Sequence, residues 1–166
     1  MESKCLSGRP VEKVKPNFFI VGAMKAGTTT LYDILKVHPN VFMPFDKEPY
    51  YFNWSGEQNS KDLKIPLGND KFSSSLDWQC CSSEEMYLQM FSEVKKDHIA
   101  VGEASTFYLP DVNVPEKIKK FQPDAKIIIL LRDPVERAVS AFNFMSSFGS
   151  EPCDDIISAL AEEERG

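Results

Sequence analysis

The chain has 166 residues, 42% of them apolar, and a formal net charge of −6, enough for one globular domain with its own core. The acidity is concentrated at the end: residues 151–166 carry six acids against Arg165, and the remaining 18 bases and 19 acids nearly cancel. With no basic stripe, no long apolar run and no C-x-x-C pair among Cys5, Cys80, Cys81 and Cys153, composition argues against a nucleic-acid binder, a membrane span or signal peptide, and a structural zinc site.

Residues 1–15 are polar and without period, and read as a loose lead-in to a domain over 16–166. Asn17–Val21 reads as a buried strand, its run Phe18–Val21 apolar throughout, as a strand covered on both faces would be. Gly22–Gly27 is a glycine-bounded loop, and Thr28–Val37 has helical spacing with Leu31, Ile34 and Leu35 on one face. His38-Pro39-Asn40 ends that helix. Strand, glycine loop and helix make the first half of a β-α-β unit. Val41–Phe52 is aromatic and broken by Pro44 and Pro49, so an irregular extended segment is expected, followed by a polar loop over Ser55–Ser75. Ser83–Lys96 reads as a helix on Met86, Met90 and Val94, Ile99–Gly102 as a short strand, and Pro115–Phe121 as a short helix opened by proline. Lys126–Leu131, KIIILL, reads as a fully buried strand. Asp133 and Pro134 are suited to cap and open the next helix, which runs to about Ser147. A last helix covers about Asp154–Glu163. Alternating strands and helices predict an α/β domain, a parallel sheet flanked by helices. Three strands are few for such a sheet, so the chain reads as truncated at its C-terminus.

Two stretches carry chemistry. GAMKAGTTT (Gly22–Thr30) nearly matches G-x-x-x-x-G-K-[ST]. A glycine turn into a helix aims several backbone N–H groups at one point, where an anion fits. Thr28, Thr29 and Thr30 add hydroxyls; the alternative is a tight turn whose threonines cap the helix. Thr28 stands where a nucleotide triphosphatase has its lysine, which argues against ATP hydrolysis. Lys25, inside the loop, is placed to neutralise charge on a leaving phosphate without a metal. The second stretch is IIILLRDPVERAVSAF. It puts Arg132 at the C-terminal end of a strand, where open α/β sheets bind ligands. Ser140 follows about two helical turns later. An arginine fork and a hydroxyl suit a second phosphate; the alternative for Arg132 is a pairing with Asp133 or Glu136.

Together these stretches resemble the sulfotransferases that use 3′-phosphoadenosine 5′-phosphosulfate (PAPS). FFIVGAMKAGTTTLYDILKVHPNV is similar to their 5′-phosphosulfate strand, loop and helix, and IIILLRDPVERAVSAF to their 3′-phosphate strand and helix. KEPYYF, VGEASTFYL and VPEKI resemble the Golgi carbohydrate branch, the heparan and chondroitin sulfate type. The resemblance spans about Asn17–Phe148 and implies the P-loop-like sulfotransferase fold. It implies that Lys25, Gly27, Thr28, Thr29 and Thr30 hold the phosphosulfate, with a backbone contact from Ala26. Arg132 and Ser140 would take the 3′-phosphate, and Glu48 would be the catalytic base. The implied co-substrate is PAPS, no metal is expected, and the acceptor is a carbohydrate or another hydroxyl or amine. The implied compartment is the Golgi lumen, with cytoplasm the alternative; no membrane anchor lies in the chain, and oligomeric state is left open. In the heparan branch a lysine follows the glutamate matching Glu103; here Ala104 stands there. A Lys47-Glu48 pair in a loop is ordinarily solvated surface, but the proline and aromatic neighbours of Glu48 favour partial burial. Glu103 is expected either to touch the acceptor or Lys25 or to form a structural salt bridge. The resemblance makes His38 the other base candidate, as cytosolic members use histidine, but its place after the first helix favours a cap; His98 is expected to lie on the surface, and the aromatics Tyr50, Tyr51, Phe52, Trp54 and Trp78 to be core or to stack on a sugar. A P-loop kinase and a non-catalytic nucleotide-binding fragment are the competing readings.

Overall fold

The structure is a computed structural model, and residues 14–54 and 83–163 are described. Residues 1–13, the whole of the Ser55–Ser75 stretch and Trp78 lie outside them. Four parallel strands form one sheet in the order β2-β3-β1-β4. These are β1 (Phe18–Gly22), β2 (Val41–Phe42), β3 (Ala100–Ala104) and β4 (Lys126–Ile129). The helices are α1 (Thr28–Lys36), α2 (Tyr51–Trp54), α3 (Glu84–Gln89), α4 (Val114–Phe121), α5 (Pro134–Ser147) and α6 (Ile156–Glu163), with a 3-10 turn at Thr106–Tyr108. Among the described residues no helix is long and apolar enough to cross a membrane.

Strand β1 is the centre of the molecule, and all five of its residues are buried. Alternate side chains of a strand face opposite ways, so β1 feeds two cores. Phe19 and Val21 join an aromatic cluster with Tyr51, Phe52, Tyr87 and Tyr108, while Phe18 and Ile20 pack with Tyr32 of α1, Met43 and Ala104. In the first cluster the Tyr51 and Tyr87 rings stack at 4.3 Å, and Phe52 meets Phe19 edge-on at 5.7 Å. Phe18 lies across β3 directly over Gly102, its register partner; a Cβ at that glycine would run into the Phe18 ring.

The structure corrects several sequence expectations. The run KIIILL is not a buried strand. It forms β4 over four residues, pairs among the described residues with β1 alone, and leaves Ile127, Ile129 and Leu131 at 48%, 50% and 81% exposure. An apolar run reports β-propensity and cannot distinguish a central strand from an edge. The face of α1 turns on Tyr32, which is buried, whereas Ile34 is exposed. Helix α3 stops at Gln89, and it buries Tyr87 and Leu88 rather than Met86. The stacked tyrosines set that rotation. Within Val41–Phe52, otherwise irregular as expected, Val41–Phe42 adds a fourth strand and Tyr51 opens α2. At the expected caps, Asp133 accepts a hydrogen bond from the Glu136 N–H at 3.0 Å and Pro134 opens α5.

Candidate active site

The carboxyl ends of β1, β3 and β4 face the same side, the edge at which parallel sheets bind ligands. After β1, the chain bends through Lys25 at φ 65° and Gly27 at φ 96°, both left-handed. A side chain is strained in that region and glycine is not, so Gly27 lets the loop meet α1 as its N-cap. No side chain caps this helix, and the N–H groups of its first turn stay open to a ligand. A cleft of ≈ 580 Å³ lies above the loop, within the usual range for small-molecule sites, about 300–1,000 Å³.

The cleft brings together Lys25, Gly27, Thr28, Thr29, Thr30, Glu48, Arg132 and Ser140. Ala26 is absent from its wall, and its N–H closes a turn onto the Ala23 carbonyl at 3.1 Å. The Lys25 ammonium sits 4.1 Å from the centre of the Phe144 ring on α5, a cation–π contact. Arg132 joins the two motifs. Its Nη1 donates to the Lys25 carbonyl at 3.4 Å, while Nε and Nη2 donate to Glu136 at 3.2 and 3.1 Å. Arg132 thus has the carboxylate partner that the sequence offered as an alternative and also stands on the cleft wall.

Glu48 comes from the bent segment between β2 and α2, with left-handed backbone at Glu48 and Tyr50. Its N–H donates to the Ala104 carbonyl at 2.9 Å, and the Tyr50 N–H donates to Ser105 Oγ at 3.2 Å. These bonds hang the segment on the end of β3. The Glu48 carboxylate accepts from the Thr106 N–H at 2.7 Å, from the Thr106 hydroxyl at 3.2 Å, and from Lys47 Nζ at 2.9 Å. Side chains of Lys47 and Glu48 are 18% and 13% exposed, so this pair is not solvated surface. A carboxylate has about four acceptor positions, which leaves room for one more proton donor.

Lys47 is the residue the sequence reading missed. Its Nζ also donates to Thr28 Oγ1 at 3.3 Å and Thr29 Oγ1 at 3.0 Å. The available signal was its place beside Glu48; nothing local shows that its ammonium reaches back to the loop.

Behind the cleft, Glu103 is fully buried, and its partners among the described residues are hydroxyls rather than Lys25 or a salt-bridge cation. It accepts from Tyr87 Oη at 3.1 Å and Ser105 Oγ at 2.9 Å. Burial pushes its carboxyl up to about 7, against the pull of hydrogen bonds from Tyr108, Ser105 and Tyr87 and with the Glu48 charge adding to the rise. His38 Nδ1 accepts from the Asn40 N–H at 3.2 Å in the turn after α1, as expected for a cap. His98 is half-buried, its ring 5.5 Å from Phe42, a correction to the surface position. Tyr50, Tyr51 and Phe52 are core, and Tyr50 also lines the cleft.

A sequence profile described as "Sulfotransferase family" matches residues 16–164. The chain belongs to the sulfotransferase family. It is 30% identical over 129 residues to a Dictyostelium discoideum protein named membrane-associated sulfotransferase kil1, covering 78% of this chain and 23% of that protein. Human carbohydrate sulfotransferase 15 is 31% identical over 172 residues, covering 89% of this chain and 30% of the relative. Mouse heparan sulfate glucosamine 3-O-sulfotransferase 3B1 is 26% identical over 130 residues, covering 78% and 27%. The crystal structure of a sulfotransferase from Alicyclobacillus acidocaldarius superposes with a TM-score of 0.73 at 35% identity, over 92% of this chain and 58% of the other. The chain thus spans about a quarter to a third of these three curated relatives and rather more than half of the solved one.

Proposed function

We propose that the protein binds PAPS in this cleft and transfers its sulfuryl group to a hydroxyl or amine of a carbohydrate. One observation carries the reading: residues from three distant stretches, Lys25 and Thr28–Thr30, Glu48, and Arg132 with Ser140, line a single cleft. The open N–H groups, hydroxyls and cations suit a doubly phosphorylated nucleotide, with the phosphosulfate at the loop and the 3′-phosphate between Arg132 and Ser140. Glu48 takes the proton of the acceptor as its oxygen or nitrogen attacks sulfur. The new bond to sulfur forms as the bond to the bridging oxygen breaks. Lys25, leaving the Phe144 ring, neutralises the charge that collects on the departing 5′-phosphate. The carbohydrate sulfotransferases among the relatives support a sugar acceptor and, by analogy, the Golgi lumen as compartment. They also support a single domain from residue 16 onward that is longer than this chain.

Calorimetry with adenosine 3′,5′-bisphosphate against ATP–Mg tests the nucleotide. Preference for the bisphosphate is expected, and preference for ATP–Mg would favour a kinase, a reading weakened by Thr28 in the lysine position and by Asp133 serving as a helix cap. Transfer of labelled sulfate to a heparan or chondroitin oligosaccharide tests the chemistry. Binding without transfer would leave a non-catalytic nucleotide-binding fragment.

A further inference from the structure

The cation resting against the hydroxyls of the anion loop is Lys47, not Lys25. An ammonium has three protons to donate, and Lys47 places them on Thr28 Oγ1, Thr29 Oγ1 and Glu48 Oε1 at 3.3, 3.0 and 2.9 Å. Lys25 directs its ammonium onto the Phe144 ring instead. A threonine hydroxyl has one proton and two lone pairs. With a lone pair committed to Lys47, each hydroxyl keeps its proton free for an anion above the loop. The ammonium also lies between the loop and the carboxylate, which is the line joining a bound donor to the group that deprotonates the acceptor. A transferring sulfuryl group occupies that line, with negative charge on its three outer oxygens.

The geometry points to Lys47 as a further catalytic residue that grips the outer oxygens of the sulfuryl group and orients the Thr28 and Thr29 hydroxyls toward it. This assignment rests on the sulfuryl-transfer reading above. It divides the work between two lysines: Lys47 acts on the group that moves, Lys25 on the phosphate that leaves. It also explains why the base and this lysine are neighbours. One bent segment, anchored on β3 through the Glu48 N–H and the Ala104 carbonyl, delivers both.

The test compares two nucleotides that differ only in the sulfuryl group, PAPS and adenosine 3′,5′-bisphosphate, by calorimetry on the wild-type chain and on Lys47→Met and Lys47→Arg. A hydrogen bond to a charged group is worth enough to shift affinity about tenfold. Lys47→Met is expected to weaken PAPS about tenfold and the bisphosphate less than about twofold, with Lys47→Arg recovering part of the loss. Far-UV circular dichroism and the thermal midpoint of each variant show whether it folds. Equal losses for both nucleotides, or none for either, would overturn the role of Lys47 while leaving the nucleotide site intact. A wild-type chain that binds neither nucleotide would instead remove the functional reading, and this inference with it.

Discussion

Glu103 is a carboxyl group shut away from water behind a site full of charge. Its folded value of about 7 lies above the ordinary 4.5 because burial disfavours the anion. Between pH 4.5 and 7 the unfolded chain therefore gives up this proton more readily than the folded one. Stability is untouched by this group below about pH 4.5, falls as pH rises through the window, and stays lowered above 7. The loss is at most about 3 kcal/mol. Glu103→Gln should flatten that fall, seen as a smaller change in thermal midpoint between pH 5 and 8 than in the wild type. Glu48 lines the cleft itself. Glu48→Gln should retain nucleotide affinity in calorimetry and lose transfer by about 10²–10⁴-fold; retained turnover would remove it as the base. The place of Glu48 on the cleft was legible in the sequence and that of Lys47 beside it was not. A carboxylate between a proline and aromatic rings stands out against its surroundings, whereas a lysine's target depends on how the chain folds back.

The pairing of β1 with β3 depends on one missing side chain. Gly102 gives up its Cβ to the Phe18 ring, and Gly102→Ala should destabilise the fold by about 1–3 kcal/mol, read as a lower urea midpoint. Adding Phe18→Leu should restore part of it. At the start of α5, Arg132 is shared between the loop carbonyl and Glu136. Arg132→Ala should weaken adenosine 3′,5′-bisphosphate about tenfold while barely changing affinity for adenosine 5′-phosphate, and competitive titration separates the two. Exposed ion pairs are worth less than about 1 kcal/mol, so Glu136→Gln should tighten the bisphosphate no more than a few-fold. Local signals served well here. The glycine loop and the Asp133-Pro134 cap were readable because each depends on neighbouring residues. The rotation of α3 and the short β2 were not, because Tyr87 answers to Tyr51 and Val41 to Ala100, partners more than thirty residues away.

Across the whole molecule the sheet is lopsided. Its inner strands β1 and β3 are almost wholly buried, while β4 is largely exposed. No residue of α5 is buried. An open edge with apolar side chains invites association. Ile129→Lys should therefore reduce concentration-dependent self-association, measured by light scattering across a dilution series, and should leave the unfolding free energy from urea titration within about 0.5 kcal/mol of the wild type. Apart from β2 and α2, the sequence disclosed the order of strands and helices but not this imbalance, since KIIILL reads the same at a centre or at an edge.

The same lopsidedness divides the cleft into a firm bank and a soft one. The glycine loop and the Lys47-Glu48 segment are moored to the two best-packed strands, whereas Arg132 and Ser140 ride on the least sheltered strand and helix. With PAPS bound as proposed, mild heat or denaturant would loosen the grip on the ribose end first, so the protein would forget which nucleotide it prefers before it forgets how to hold a sulfuryl donor.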